Sequence, residues 1–89
     1  MAEVHLDGML GDFARRTSLR VPATSVTSLL DGLEARYPRL RHRIRDETHQ
    51  IRPFVKVFVN GEEVPHAEAP SRRLRRTDSV DILHSIQGG

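Results

Sequence analysis

The fold class of this chain is decided by the stretch Pro53-Phe54-Val55-Lys56-Val57-Phe58-Val59-Asn60-Gly61-Glu62-Glu63-Val64. Its first seven residues are dense in β-branched and aromatic side chains, which predicts a strand. Its valines would face one way, and Phe54, Lys56 and Phe58 would face the other. Apolar residues on both faces indicate a central strand. Asn60-Gly61 is a tight-turn signal, so a short returning strand is expected over residues 62–64.

A one-sided apolar stripe upstream of this strand predicts a helix. Its members stand at helical spacing, at Val26, Leu29, Leu30, Leu33 and Tyr37. Thr24 or Ser25 would cap the start of this helix, and Pro38 would end it. Gly32 weakens such a helix by about 1 kcal/mol relative to alanine. The stripe is therefore expected to pack against one face of a sheet.

Two alternating apolar and polar runs precede the helix, over roughly residues 3–10 and 16–21. Gly11-Asp12 between them signals a turn or loop, so the two runs are expected to form a β-hairpin. A last strand is predicted to begin at Ser79 and to run to Ile86. The resulting order predicts an α+β fold, a mixed sheet with one main helix on one face.

Length and composition narrow the possible functions. With 89 residues the chain has room for one domain, and it contains no cysteine. A disulfide scaffold, a thiolate zinc site and a cysteine nucleophile are thereby excluded. No long apolar run or signal-like start is present, so we expect a cytoplasmic protein without membrane attachment.

The chain ends in Ile86-Gln87-Gly88-Gly89, where Ile86 closes the predicted last strand and the glycines follow without a linker. Two terminal glycines alone are typical of a frayed end. Placed directly after a strand, however, they form a thread narrow enough for a channel. The backbone carboxylate of Gly89 is then the candidate reactive group.

Several of these features together resemble the ubiquitin-like sulfur-carrier family, also called MoaD/ThiS-like. They are the ββαββ(β) order, the helix ending in Tyr37-Pro38, the hairpin Val57–Glu62, the run Asp78–Leu83 and the final Gly88-Gly89. The resemblance covers essentially the whole chain. The residues before the glycines, His84-Ser85-Ile86-Gln87, depart from the small apolar residues usual in molybdopterin-synthase subunits. This departure favours a more divergent carrier.

The resemblance implies a β-grasp domain over residues 1–85 and a tail over residues 86–89. It also implies a carrier that binds no cofactor and is not itself an enzyme. A ubiquitin-activating-type adenylyltransferase would adenylate Gly89 with ATP and Mg²⁺, and sulfur transfer would give a thiocarboxylate. A synthase would then take the sulfur for thiamine, molybdopterin, cysteine, thiolated tRNA or a secondary metabolite. Gln87 and Gly88 would thread the tail into the partner, since a β-carbon at Gly88 would widen it.

Docking residues are expected beside the tail. Phe54, Phe58 and Leu83 would lie on the sheet face opposite the helix, where an exposed apolar patch favours a partner surface. The alternative is that residues 39–52 cover this patch. His84 would help to seat the tail.

The other charged residues suggest no further chemistry. The five histidines lack metal-ligand spacing, so no metal site is expected. Two arginine clusters have no aromatic stacking platform beside them, and we expect no nucleic-acid binding. Two alternatives to a sulfur carrier stay open. One is a protein modifier joined through Gly89 to target lysines, and the other is an interaction module with inert glycines.

Overall fold

Five strands and two α-helices form along residues 1–84, the part of the chain that this computed structural model describes. The strands are β1 (Ala2–Leu6), β2 (Ser18–Val21), β3 (Val55–Val59), β4 (Glu62–Val64) and β5 (Ser79–His84). The helices are α1 (Gly8–Ala14) and α2 (Val26–Arg36). Single 3₁₀ turns lie at Pro38–Leu40 and Ala69–Ser71.

The strands form one mixed sheet in the order β2-β1-β5-β3-β4. The pair β1–β5 is parallel, and the other three pairs are antiparallel. The predicted mixed sheet is therefore confirmed. Strand β3 has a neighbour on both sides, as its two apolar faces indicate, but the middle position belongs to β5.

The core lies between one face of the sheet and α2. Val55, Val57 and Val59 point into it, and the α2 residues Val26, Leu29, Leu30 and Leu33 cover them. Burying each of these α2 side chains contributes about 1.5–3 kcal/mol. The predicted cap is at Ser25, whose hydroxyl accepts from Ser28 N, and the helix ends before Tyr37-Pro38 as expected.

Helix α1 contradicts the predicted hairpin turn. The expected strand over residues 3–10 ends at Leu6, and the chain then turns into a helix because Asp7 Oδ1 accepts the Leu10 N–H at 2.9 Å. Leu10 and Ala14, one helical turn apart, are both buried. Strands β1 and β2 still pair antiparallel, as predicted, but a helix connects them.

The connection after α2 is anchored by a buried arginine. The Arg45 guanidinium contacts Asp31 at 2.7 Å and Glu34 at 3.0 Å, both on α2. Burial disfavours the charged guanidinium, but the hydrogen bonds to Glu34 and Asp31 outweigh this and raise the pKa of Arg45. The four-residue spacing of Leu40 and Ile44 predicts that a short helix or turn brings both to the core, and the structure buries both, with a 3₁₀ turn at Pro38–Leu40. Among the described helices, none is long and apolar enough to cross a membrane.

Candidate functional site at the end of the central strand

The described part of the chain ends at His84, where β5 reaches the edge of the sheet. Because β1 runs parallel to β5, the end of β1 and the start of α1 lie at this same edge. Strand β3 runs the other way, so its first residue, Val55, pairs with His84. The predicted tail residues Gln87, Gly88 and Gly89 lie outside the described residues.

A carboxylate holds this edge together. Asp7 Oδ1 caps α1, and Asp7 Oδ2 accepts a short hydrogen bond from the backbone N–H of His84. The Asp7 N–H donates to the carbonyl of Ile82 at 3.2 Å. The backbone at the end of β5 is thereby held in place relative to α1.

Asp7 was not among the predicted site residues. The alternating pattern of the first strand assigns it an outward polar position, which hides its role as a helix cap. A signal was nevertheless present in the sequence. Asp7 is followed by Leu10, Phe13 and Ala14, which is apolar helical spacing behind a favoured cap residue.

A small groove lies beside His84 on the helix side of the sheet, and we call it the basal groove. Its volume is about 400 Å³, and His84 is one of its lining residues. We call its apolar residues the floor (Met9, Leu10, Phe13 and Phe54) and the remaining basic residues the rim (His42, Arg43 and Arg52). The rings of Phe54 and His84 lie 4.8 Å apart, centroid to centroid. The guanidinium carbon of Arg43 lies 4.4 Å from the centroid of the Phe13 ring.

The position of Phe54 corrects an expectation. Strand alternation predicts Phe54 on the open face with Phe58, but β3 begins only at Val55, so the alternation does not extend to Phe54. Phe54 instead contacts His84, whose side chain shares the helix side with Val80 and Ile82. The four predicted docking residues therefore fall into two pairs on different sides of the sheet.

The second pair, Phe58 and Leu83, lies on the open face, as predicted. Phe58 pairs with Asp81 in the sheet register, which makes Leu83 its diagonal neighbour. Leu83 is 40% exposed, and Phe58 is half-buried. Charged residues flank Phe58 and Leu83. Among them is Lys56, whose Nζ lies 3.6 Å from Glu63 Oε2. The apolar patch on this face is real but small.

In the described part of the chain the histidines form no metal site, and the arginine cluster at Arg72 to Arg76 lies away from this site. Within residues 1–84, no three His, Cys, Asp or Glu side chains are grouped to hold a metal ion. The second arginine cluster, Arg72 to Arg76, lies beside the start of α2 and the start of β5. That is the end of β5 away from the tail.

This sheet and helix arrangement is that of the ubiquitin-like β-grasp proteins. One chain in a crystal structure of the Amycolatopsis orientalis BexX/CysO complex matches with a TM-score of 0.87 at 22% identity. The match covers 100% of this chain and 100% of that chain. The crystal structure of SAMP1 from Haloferax volcanii matches 99% of this chain and 98% of that chain, with a TM-score of 0.84 at 22% identity. The expected β-grasp fold is confirmed.

Sequence comparison narrows the class to a family. The model of the ThiS family matches residues 11–89. Small archaeal modifier protein 3 of Haloferax volcanii is 32% identical over 65 residues, which are 73% of this chain and 70% of that protein. Sulfur carrier protein CysO of Mycobacterium tuberculosis is 27% identical over 74 residues, 81% of this chain and 80% of CysO. The chain belongs to the ThiS family.

Proposed function

We propose that this protein is a sulfur carrier whose working group is the carboxylate of Gly89. The observation that carries the proposal is the family match, which extends through Gly88-Gly89 and so covers the residues directly after the central strand β5. Similarity to a relative named as a sulfur carrier, over 81% of this chain, supports it. The chain acts as a carrier and co-substrate, and partner enzymes perform the chemistry.

The proposed chemistry has two steps. A carboxylate is a poor electrophile, so a ubiquitin-activating-type partner first joins the Gly89 carboxylate to AMP from ATP, with Mg²⁺, and releases pyrophosphate. Sulfide supplied by that partner then attacks the carbonyl carbon of the adenylate. A C–S bond forms as the C–O bond to AMP breaks, and AMP leaves with that oxygen. A sulfur-accepting synthase uses the resulting thiocarboxylate as a nucleophile. ATP and Mg²⁺ belong to the partner in this scheme.

We further propose that the partner contacts the protein around the end of β5. Phe58 and Leu83 offer apolar area on the open face, while Phe54 and His84 offer it at the basal groove. Gln87 and Gly88 enter the partner's channel. The fixed end of β5 supports this arrangement, since Asp7 orients the backbone at His84.

A second candidate function is protein modification. Its support is the 32% identity with Small archaeal modifier protein 3. The same Gly89 adenylate would then be attacked by a lysine amine of a target protein, and an amide bond would form as AMP leaves. Both functions require the same activating step, so the product distinguishes them.

The test is intact mass spectrometry after incubation with an activating enzyme from the same organism, ATP, Mg²⁺ and a sulfur donor. We expect a mass gain equal to the exchange of one oxygen for one sulfur. Conjugates of higher mass would instead favour the modifier. A variant that lacks Gly89, or that extends past it, is expected to be inert. Normal thiolation of either variant would contradict the proposal.

A further inference from the structure

The basal groove combines an apolar floor with a basic rim. Met9 is 43% exposed on its floor, a high value for a large apolar side chain, and Phe13 and Phe54 flank it. Of its described lining residues, two are arginines, Arg43 and Arg52, two are histidines, and none is Asp or Glu. Such a site suits a ligand with one apolar group flanked by negatively charged groups.

The rim arginines are held in place by contacts other than salt bridges. The Arg52 Nε donates to the carbonyl of His42 at 2.7 Å, and the Arg43 guanidinium stacks on the Phe13 ring. Within residues 1–84, neither Arg43 nor Arg52 lies within 4 Å of a carboxylate oxygen. By contrast, the buried Arg45 contacts two carboxylates. The charge of Arg43 is therefore available to a ligand. The charge of Arg52 is partly offset by Asp46, whose pKa is lowered first by the hydrogen bond from Thr48 and also by the charge of Arg52.

We propose that the basal groove docks an acidic segment of a partner protein, with one apolar side chain on the floor between flanking carboxylates at the rim. This inference rests on the proposed function, because an enzyme that holds the chain beyond His84 must reach past the groove. Charge complementarity selects the occupant. The apolar anchor contributes about 1.5–3 kcal/mol when buried, and the carboxylates form charge-assisted hydrogen bonds with the arginines.

Single-stranded nucleic acid fits this groove less well than a protein segment. Bases bind on free aromatic faces. Here the Phe13 ring is covered by Arg43, and the Phe54 ring packs against His84. The exposed part of the floor is the flexible side chain of Met9, which is suited to an aliphatic or aromatic side chain.

The first test uses the full chain labelled with ¹⁵N and two short peptides. One peptide carries a single phenylalanine flanked by aspartates, and the other carries the same phenylalanine flanked by lysines. We expect saturable shifts of the Met9, Phe13 and Phe54 amides with the acidic peptide, and about tenfold weaker binding of the lysine peptide. Equal binding, shifts centred on Leu83, no saturable shift at millimolar peptide, or tighter binding of a single-stranded oligonucleotide would overturn the proposal.

Two substitutions of one residue separate charge from apolar contact. Met9→Glu and Met9→Lys remove the same side chain, and Glu in the first turn of α1 suits the helix dipole, so the fold is retained. We expect Met9→Glu to weaken binding of the acidic peptide about tenfold and Met9→Lys to weaken it less. An equal loss in both variants would overturn the charge-based part of the inference, and no loss in either would overturn the site.

Arginine variants provide the matched control. Arg43→Gln is expected to weaken acidic-peptide binding several-fold, whereas Arg39→Gln, exposed outside the groove, is expected to leave it unchanged. The peptide assay needs neither Gly89 nor an activating enzyme. A chain that binds the peptide but is never thiolated therefore contradicts the proposed function alone, and a thiolated chain that ignores the peptide contradicts the groove alone.

Discussion

Asp7 joins the start of α1 to the end of β5 through one carboxylate. Its removal should therefore lower both the stability of the fold and the rate at which Gly89 is adenylated. We expect Asp7→Ala to lower the free energy of unfolding by about 1 kcal/mol, the usual value of a helix cap. Because the His84 N–H also loses its acceptor, we expect kcat/KM for adenylation to fall about tenfold. Steady-state kinetics with the chain as substrate measure the second effect.

The matched control is Ser25→Ala. Ser25 caps α2 in the same way, beside Arg73 and away from His84, so its loss should cost similar stability and leave adenylation unchanged. If the two variants lost kcat/KM equally, Asp7 would act through stability alone.

The Asp78 carboxylate predicts how the stability of the fold depends on pH. The Arg75 N–H donates to Asp78 Oδ2 at 2.8 Å and the Asn60 amide donates to Oδ1 at 3.0 Å, which lowers the pKa of Asp78 below its ordinary value of 3.8. A lowered folded-state pKa means that the carboxylate stabilises the fold at neutral pH and loses this effect as the pH falls through that pKa.

We therefore expect Asp78→Asn to lower the melting temperature at neutral pH, and this effect to shrink as the pH falls through the folded-state pKa of Asp78. Thermal unfolding followed by circular dichroism over this range measures the difference. A difference that persisted unchanged in acid would show that ionisation of Asp78 is not its source.

Gly32 sets a constraint between two elements. A Cβ at Gly32 would lie 2.9 Å from Val21 Cγ1, which is closer than packed atoms tolerate. Gly32→Ala should gain about 1 kcal/mol of helix propensity and lose about 1–3 kcal/mol to overpacking, giving a net loss. Chemical denaturation measures it, and pairing Gly32→Ala with Val21→Ala should show favourable coupling of about 1 kcal/mol.

Gly8 offers the comparison, since a Cβ at that position of α1 meets nothing within 4 Å. Gly8→Ala is expected to be neutral or stabilising. A Gly32→Ala variant as stable as Gly8→Ala would contradict the close approach of α2 to β2.

The two helices show why sequence predicted one element and missed the other. In α2 the stripe from Val26 to Leu33, the Ser25 cap and Pro38 all agree, so local pattern suffices. Helix α1 has seven residues and two glycines, so its intrinsic propensity is poor. It forms because Asp7 caps it locally and because the core buries Leu10 and Ala14, and that burial exists only after folding.

The same distinction applies to the candidate site. Alternation along β5 and β3 correctly places Phe58 and Leu83 together on the open face. The basal groove was not predicted, because it requires α1 and the residue at which β3 begins. The order of the predicted elements gave neither α1 nor the first residue of β3. The position of Phe54 depends on both of these features.

At the scale of the whole molecule, the open face and the basal groove lie on opposite sides of the strand that precedes the tail. We expect Leu83→Ala to weaken binding of the activating enzyme several-fold with little change in the free energy of unfolding, because Leu83 is 40% exposed. Calorimetry and chemical denaturation measure the two quantities. Arg20→Ala, on the same face of the outer strand β2, should change neither. Unchanged binding by a fully folded Leu83→Ala variant would show that this face is not a docking surface.

The sheet order has a consequence for synthesis of the protein. Without β5, the strands would form two separate ribbons, β2-β1 and β3-β4, because β5 alone pairs β1 with β3. Isolated two-stranded ribbons are marginally stable in water. A nascent chain that stops before Ser79 therefore cannot complete the sheet, and each ribbon would expose an unpaired edge to the quality-control machinery. Strand β5, which precedes the tail, is therefore also the strand whose synthesis allows the sheet to form.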